Sequence, residues 1–185
     1  MWIAGTVLLL IVGAGILLFN RIVRARNLVD EAWSGIDVQL KRRHDLVPNL
    51  VETVKEYGGH ERTLFDDITR LRSETLSVTA PGETGAAENA LTRQLKTLFA
   101  VAEAYPELKA SENFLDLQKS LSDIEDKIQY ARRYYNGTVR DYNILIESFP
   151  NSLLANPLGF QREEFFEIEY ATERQAAEVD FASQA

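Results

Sequence analysis

The sequence contains no cysteine. That removes disulfides, thiol nucleophiles and thiolate metal sites together, and it leaves the redox compartment unreadable. Histidine is nearly as scarce, with His44 and His60 the only two. A carboxylate-bridged di-metal centre in a helical bundle needs Glu-x-x-His on two of its helices, and that spacing occurs nowhere in the chain. Also missing are G-x-S-x-G, the P-loop, the dinucleotide glycine fingerprint and HExxH. Positive charge is in deficit, with 20 Lys and Arg against 28 Asp and Glu, a net charge of −8. Phosphate binding needs a surplus of cations on one face, so nucleic acid is not an expected partner. This inventory predicts no catalytic residue, no cofactor, no metal and no small-molecule substrate.

What remains is ordinary for a folded protein, with 45% apolar and 26% charged residues. The apolar content is unevenly placed. Residues 2–19, WIAGTVLLLIVGAGILLF, run from Trp2 to Phe19 without a charge, close to the ~20 residues that cross a bilayer core as a helix. A secretory signal is the rival reading, but no basic segment precedes the run and no small-x-small cleavage site follows it. Arg21, Arg24 and Arg26 come directly after the run. By the positive-inside rule they predict a single-pass anchor with the C-terminal domain in the cytoplasm. Domain boundaries are expected at 1–26 for the anchor and its basic flank, 27–150 for a helical bundle, and 151–185 for a connector and tail.

Beyond the arginines a second pattern begins. Val29, Trp33, Ile36, Leu40, Arg43, Val47, Leu50, Val54 and Tyr57 recur at alternating steps of four and three, the period of helices packed side by side. Arg43 alone breaks the apolar seam, and a seam arginine must pair with a carboxylate, snorkel to water or face a second subunit. Fixing helix register is the role expected of it. Pro48 lies inside the pattern and has no N–H, so the carbonyl of His44 is freed and a bend is expected. The run AWSGIDVQLKRRHDLVPNLVETVKEY from Ala32, ARRYYNGTVRDYN from Ala131, and the later FP and NPLGF resemble the conserved blocks of the LemA family of bacterial membrane-anchored proteins. The resemblance implies a bundle of four helices behind one transmembrane segment. It implies no chemistry.

The rest of the chain supplies surfaces for that first helix. Gly58 and Gly59 cost a helix interior about 2 kcal/mol, so a turn and a second helix are expected there, although Glu61, Leu64, Ile68 and Leu71 continue the seam in phase. Residues 78–85, with Pro81, Gly82 and Gly85, read as a linker. A shorter helix is expected over about 86–104, with Leu91, Leu95, Leu98, Ala102 and Tyr105 on one side, stopped by Pro106. The last helix opens at Ser111 or Glu112 and keeps heptad phase from Phe114 through Ile128, Tyr135 and Tyr142 to Phe149, with Glu125 and Asp126 expected outside. At ~1.5 Å per residue it should extend about 50 Å. Residues 151–160 form an apolar connector. Phe166, Ile168 and Tyr170 then alternate with Glu167 and Glu169, which predicts a short strand that lies along the bundle or pairs with a neighbouring subunit.

The fold class is therefore all-α: one membrane helix, an up-and-down four-helix bundle, and an extended acidic tail. Two functional readings follow. In the first, the protein is a non-enzymatic membrane scaffold that forms homo-oligomers through Asn136, Asn143 and the Phe166–Ile168–Tyr170 segment, which hold interface-type residues and an unpartnered strand. In the second, it is an adaptor that recruits a protein partner, such as a membrane protease, through Lys41, Arg42, Arg43, His44, Asp45, Pro48 and Asn49. The bland alternative for that charge run is a solvated helix face with Asp37 paired to Lys41.

Overall fold

A computed structural model describes residues 2–58 and 61–167. Six helices account for almost all of them: α1 (Trp2–Lys55), α2 (Arg62–Ser77), α3 (Pro81–Glu103), α4 (Pro106–Lys109), α5 (Glu112–Glu147) and α6 (Ser152–Ala155). Among the described residues there is no strand.

α1 is one continuous helix of 54 residues, and its two parts have opposite surroundings. Its first part is apolar and wholly exposed, Trp2 at 95% and Leu9 at 73% among others, and it is long and apolar enough to cross a membrane. From Ile22 onward one stripe is buried: Val29, Ile36, Leu40, Arg43, Val47, Leu50 and Val54. These are the seam positions, and Tyr57 is the one that fails, being exposed beyond the helix end. No break separates anchor from bundle, so the membrane helix and the first bundle helix form a single rod. The chain leaves that rod at Lys55 and re-enters helix at Arg62, so it turns near Gly58.

Two sequence expectations are corrected here. Residues 78–85 are not a linker: α3 begins at Pro81, and only 78–80 connect it to α2. Proline fits the first helical turn because its missing N–H would have been unpaired there anyway. Pro106 likewise opens a short helix, α4, rather than only ending α3.

The buried residues form two apolar clusters along the long axis. The one distal to the anchor joins Val47, Leu50 and Val54 of α1 to Phe65 and Ile68 of α2, Leu91, Leu95 and Leu98 of α3, and Phe114 and Leu121 of α5. The other, nearer the anchor, joins Ile22 to Leu40 of α1 to Ile124, Ile128, Tyr135, Tyr142 and Ile146 of α5. α1 and α5 are antiparallel and run through both. α2 and α3 take part only in the distal cluster, so the proximal one is closed by other means: Ala155 of α6 and Phe166 of the tail.

Candidate functional site

Between the two apolar clusters lies a buried polar layer built on Arg43 and His44. Arg43 is fully buried. Its Nη1 donates to Glu125 Oε1 of α5 at 2.7 Å and to Thr92 Oγ1 of α3 at 3.0 Å, and Nη2 pairs with Glu88 of α3. One guanidinium thus ties three helices together through its fork of donors. Glu125 is correspondingly half-buried rather than outside. His44 Nε2 lies 2.8 Å from Glu88 Oε1 and 3.2 Å from Thr75 Oγ1. Thr75 spends its own proton on the carbonyl of Arg72 at 2.8 Å, so both neighbours of Nε2 accept and the imidazole carries its proton there. Burial above all, then the charges of Arg43 and Arg72, lower the His44 pKa to about 4. The imidazole is neutral at pH 7, and the layer balances as two guanidinium groups against Glu88 and Glu125.

The carbonyl that Pro48 frees is also accounted for. Arg72 Nε of α2 donates to His44 O at 2.8 Å, replacing the missing helical N–H with a cation.

This layer does not amount to acid–base machinery. The nitrogen facing Thr75 is a donor to Glu88, so it holds no lone pair to take the hydroxyl's proton. A cavity of about 360 Å³ opens beside the layer, lined by Trp33, Lys41, His44, Thr75, Thr84 and Glu88 among others. Among the described residues, no three His, Asp or Glu side chains come together as a metal would require. His60 lies outside the described residues.

The expected recognition run divides by helix face. Arg43 and His44 point into the core and Pro48 is half-buried, while Lys41, Arg42, Asp45 and Asn49 are exposed. Lys41 pairs with Asp37 at 2.6 Å, one turn back.

A second constellation holds the tail. Asn143 accepts from Glu163 N–H at 2.9 Å and donates to Glu163 C=O at 3.0 Å. Asn136 does the same for Phe166, at 2.9 and 3.1 Å. Each amide therefore satisfies both polar groups of one tail residue. The spacing matches: seven helical residues rise ~10.5 Å, and three extended residues span about 10 Å. Between them Tyr135 Oη donates to Glu164 C=O at 2.8 Å. Burial first, then Glu163 and Glu164, pushes that phenol up to about 12, so it remains a donor. At the end of the segment Asn89 Nδ2 of α3 lies 3.5 Å from Glu167 O. Gly85 lets that carbonyl approach so closely that a Cβ would sit 2.4 Å from it.

Asn136 and Asn143 thus bind the chain's own tail rather than another helix. Phe166 is fully buried, its ring 5.5 Å from that of Trp33, which also meets the Tyr135 ring at a tilt, 5.4 Å between centroids. Of the strand expected over residues 166–170, only Phe166 and Glu167 are described, and neither lies in a strand. Phe160, Glu163 and Phe166 are the inward positions and those between them are exposed, a period of three where a strand has two. Among the described residues the segment has no neighbouring strand, and the spacing of the asparagines sets its period. Ile168 and Tyr170 lie outside the described residues. At the membrane end, Phe19 meets Phe160 with ring centroids 6.0 Å apart, and Arg26 lies 3.9 Å from Glu163, so the juxtamembrane arginine faces the tail. Arg21 and Arg24 are exposed.

These features define a class: a helical bundle continuous with an apolar N-terminal helix, fastened by a buried ionic layer and closed by its own tail. The chain matches the LemA family over residues 32–181 and belongs to it. It is similar to the magnetosome protein MamQ of Magnetospirillum gryphiswaldense, 26% identical over 72% of this chain and 58% of that protein. The magnetosome protein MamQ 2 of Paramagnetospirillum magneticum is also 26% identical, over 80% and 64%. The protein LemA of Metamycoplasma hominis is 27% identical over 87% and 73%. The chain thus spans less than two thirds of the MamQ relatives it matches.

Proposed function

We propose that this protein is a non-enzymatic scaffold of a bacterial inner membrane, with its bundle in the cytoplasm and its copies associated through the outer face of α5. One observation carries this reading. On α5, Tyr130, Tyr134 and Ile144 are 68%, 54% and 56% exposed along the side away from the core, with the Arg133 guanidinium 4.7 Å from the Tyr130 ring centroid. Tyrosine and arginine are the residue types that dominate interaction hot spots. α5 packs along α1, so the stripe is held rigidly to the anchor, and confinement to one membrane multiplies a weak contact. Arg21, Arg24 and Arg26 set the orientation. Phe166 takes no part while it fills its own core. Light scattering on the detergent-solubilised full chain tests the reading. A defined oligomer should fall to a monomer on Tyr130→Glu with Tyr134→Glu, and a monomeric full chain overturns it.

The adaptor reading rests on a different observation. Arg42, Asp45 and Asn49 are exposed at heptad spacing on α1, so a partner helix has a continuous polar face to read. Substituting Arg42 and Asn49 should leave the oligomeric mass unchanged and abolish recruitment. Loss of assembly instead assigns that face to the scaffold.

A further inference from the structure

The end of the bundle nearest the anchor carries an apolar surface that neither core uses. Residues 148–161 hold no charged side chain, and an ion pair between Arg162 and Glu147 at 3.1 Å draws the two ends of this stretch together. The chain makes a corner here, from α5 through α6 and back along α1. The inward side chain of the corner is Ala155, fully buried in the cluster that contains Ile22. The outward ones are Phe149, Leu153 and Leu158, exposed at 80%, 64% and 54%. Among the described residues beyond the anchor, Phe149 is the most exposed large apolar side chain.

The register of the bundle fixes the height of this surface. Arg26 faces Glu163, and Glu163 is held by Asn143, so Arg26 and Asn143 stand at one level. α1 and α5 are antiparallel, so the ~9 Å that leads from Asn143 on to Phe149 also leads from Arg26 back to Asn20. Asn20 follows Phe19, the last residue of the apolar run. The other side of the corner gives the same level, because the Phe160 ring meets the Phe19 ring with centroids 6.0 Å apart.

We propose that this corner is a second membrane contact, with Phe149, Leu153 and Leu158 seated in the interfacial layer of the bilayer that the anchor spans. The proposal rests on the reading of the first part of α1 as that anchor. Its surface continues the apolar surface of the anchor at the height where the rod leaves the hydrocarbon. Apolar side chains on an otherwise polar surface settle at the boundary of headgroups and acyl chains. Arg21 and Arg24, exposed beside the same level, suit lipid phosphates. A single crossing helix does not determine its own tilt, which interfacial contacts set. An off-axis contact at the corner therefore sets the angle at which the rigid α1–α5 rod stands on the membrane.

The absence of cysteine makes the test direct. Leu153→Cys, Leu9→Cys and Leu115→Cys each give a single thiol for the environment-sensitive fluorophore nitrobenzoxadiazole. Leu9 lies within the anchor, and Leu115 is a leucine 47% exposed at the distal end, so it reports the label where no lipid is expected. The full chain is reconstituted into vesicles of phosphatidylcholine and phosphatidylglycerol that carry a nitroxide quencher, either near the headgroup or deep in the acyl chains. Circular dichroism checks each variant for helix content, and Phe149→Cys replaces Leu153→Cys if that label disturbs the fold. The expected result is loss of fluorescence at Leu153→Cys chiefly with the shallow quencher, at Leu9→Cys chiefly with the deep one, and at Leu115→Cys with neither. The proposal is overturned if Leu9→Cys is quenched and Leu153→Cys is not, which leaves the anchor standing. A Leu153→Cys label that is blue-shifted yet unquenched also overturns it, because a second copy then covers the corner. If Leu9→Cys itself goes unquenched, the anchor falls and the proposal falls with it.

Discussion

The two halves of the bundle solve the same problem with different materials. Distal to the anchor, α1, α2, α3 and α5, with Leu108 of the short α4, present apolar side chains to one another and enclose a shared core, so backbone hydrogen bonds stay within each helix and only side chains meet. Proximal to it, α2 and α3 contribute nothing to the apolar cluster, and the groove between α1 and α5 is covered by α6 and a short extended segment. An extended segment without a sheet cannot satisfy its own N–H and C=O groups. Here Asn136, Asn143 and Tyr135 satisfy them. A long helix pair combined with a short hairpin leaves an open flank, and side-chain amides at heptad spacing let a non-helical strap close it. Arg43 and His44 sit at the changeover.

The sharpest way to break the comparison is at that changeover. Glu88→Ala leaves Arg43 only the half-buried Glu125 as a counter-charge and removes the acceptor of His44, and should cost about 3 kcal/mol, the low end of the range for breaking one side of a buried ion pair. Urea unfolding followed by circular dichroism in detergent should show it, with Arg43→Met plus Glu88→Leu recovering most of the loss. A cost below about 1 kcal/mol would deny the layer its role as fastener. Phe166→Ala comes next, at about 3 kcal/mol for an emptied aromatic site. It should act on one half only, with amide exchange accelerating in α5 over residues 128–146 and not over 114–121. Uniform acceleration would show that the strap supports the whole bundle.

Acidification sharpens the same contrast. The folded-state pKa of His44 lies below its ordinary value of 6.5, at about 4, so the unfolded chain binds the proton first. The stability His44 contributes is complete above pH 6.5 and is lost as pH falls towards 4, by at most about 3 kcal/mol at 1.36 kcal/mol per unit. Asp45 and Asp37 oppose the shift, but burial and the two arginines outweigh them. His44→Gln should flatten stability across that window, and an unchanged slope would place the titration elsewhere. Smaller again are Asn136→Ala and Asn143→Ala, about 1–2 kcal/mol each for one bidentate contact. Their sum should be less than additive, because losing either frees the segment that the other holds.

Legibility followed the same division. The distal half is carried by apolar residues at helical spacing, and the seam from Val29 to Val54 could be read directly, as could the carbonyl freed by Pro48. Arg43 announced a buried partner by falling on the seam, but Glu88 did not, since nothing local distinguishes a carboxylate that faces a guanidinium from one that faces water. The proximal half was misread where its signals are not periodic. Asn136 and Asn143 stood out as amides seven residues apart beside the seam, yet their partner is a stretch of backbone, which has no sequence signature. The alternation of Phe166, Ile168 and Tyr170 suggested a strand that lies mostly outside the described residues, whereas the period of three in the stretch before it, from Phe160 to Phe166, belongs to the helix that holds it. Pro81 and Gly85 looked like a linker because helix starts and close backbone approaches use the same residues as loops do.

Gly85 offers the finest test, because two effects of one methyl group oppose each other. Gly85→Ala removes the conformational freedom of a helical glycine and should stabilise α3 by up to about 1 kcal/mol. The same Cβ would lie 2.4 Å from the carbonyl oxygen of Glu167, so the end of the strap must lift away and the contact with Asn89 is lost. Global stability should therefore change little, while the strap loosens locally. Exchange of the Phe166 amide, which donates to Asn136 at 2.9 Å, should accelerate on the order of tenfold, the factor that about 1.4 kcal/mol represents. Exchange in the distal core should slow or stay unchanged. If the Phe166 amide is unaffected, the strap is held by its aromatic plug and its asparagines alone, and the α3 contact is incidental. If the whole proximal half loosens with it, Gly85 is where the strap's docking begins.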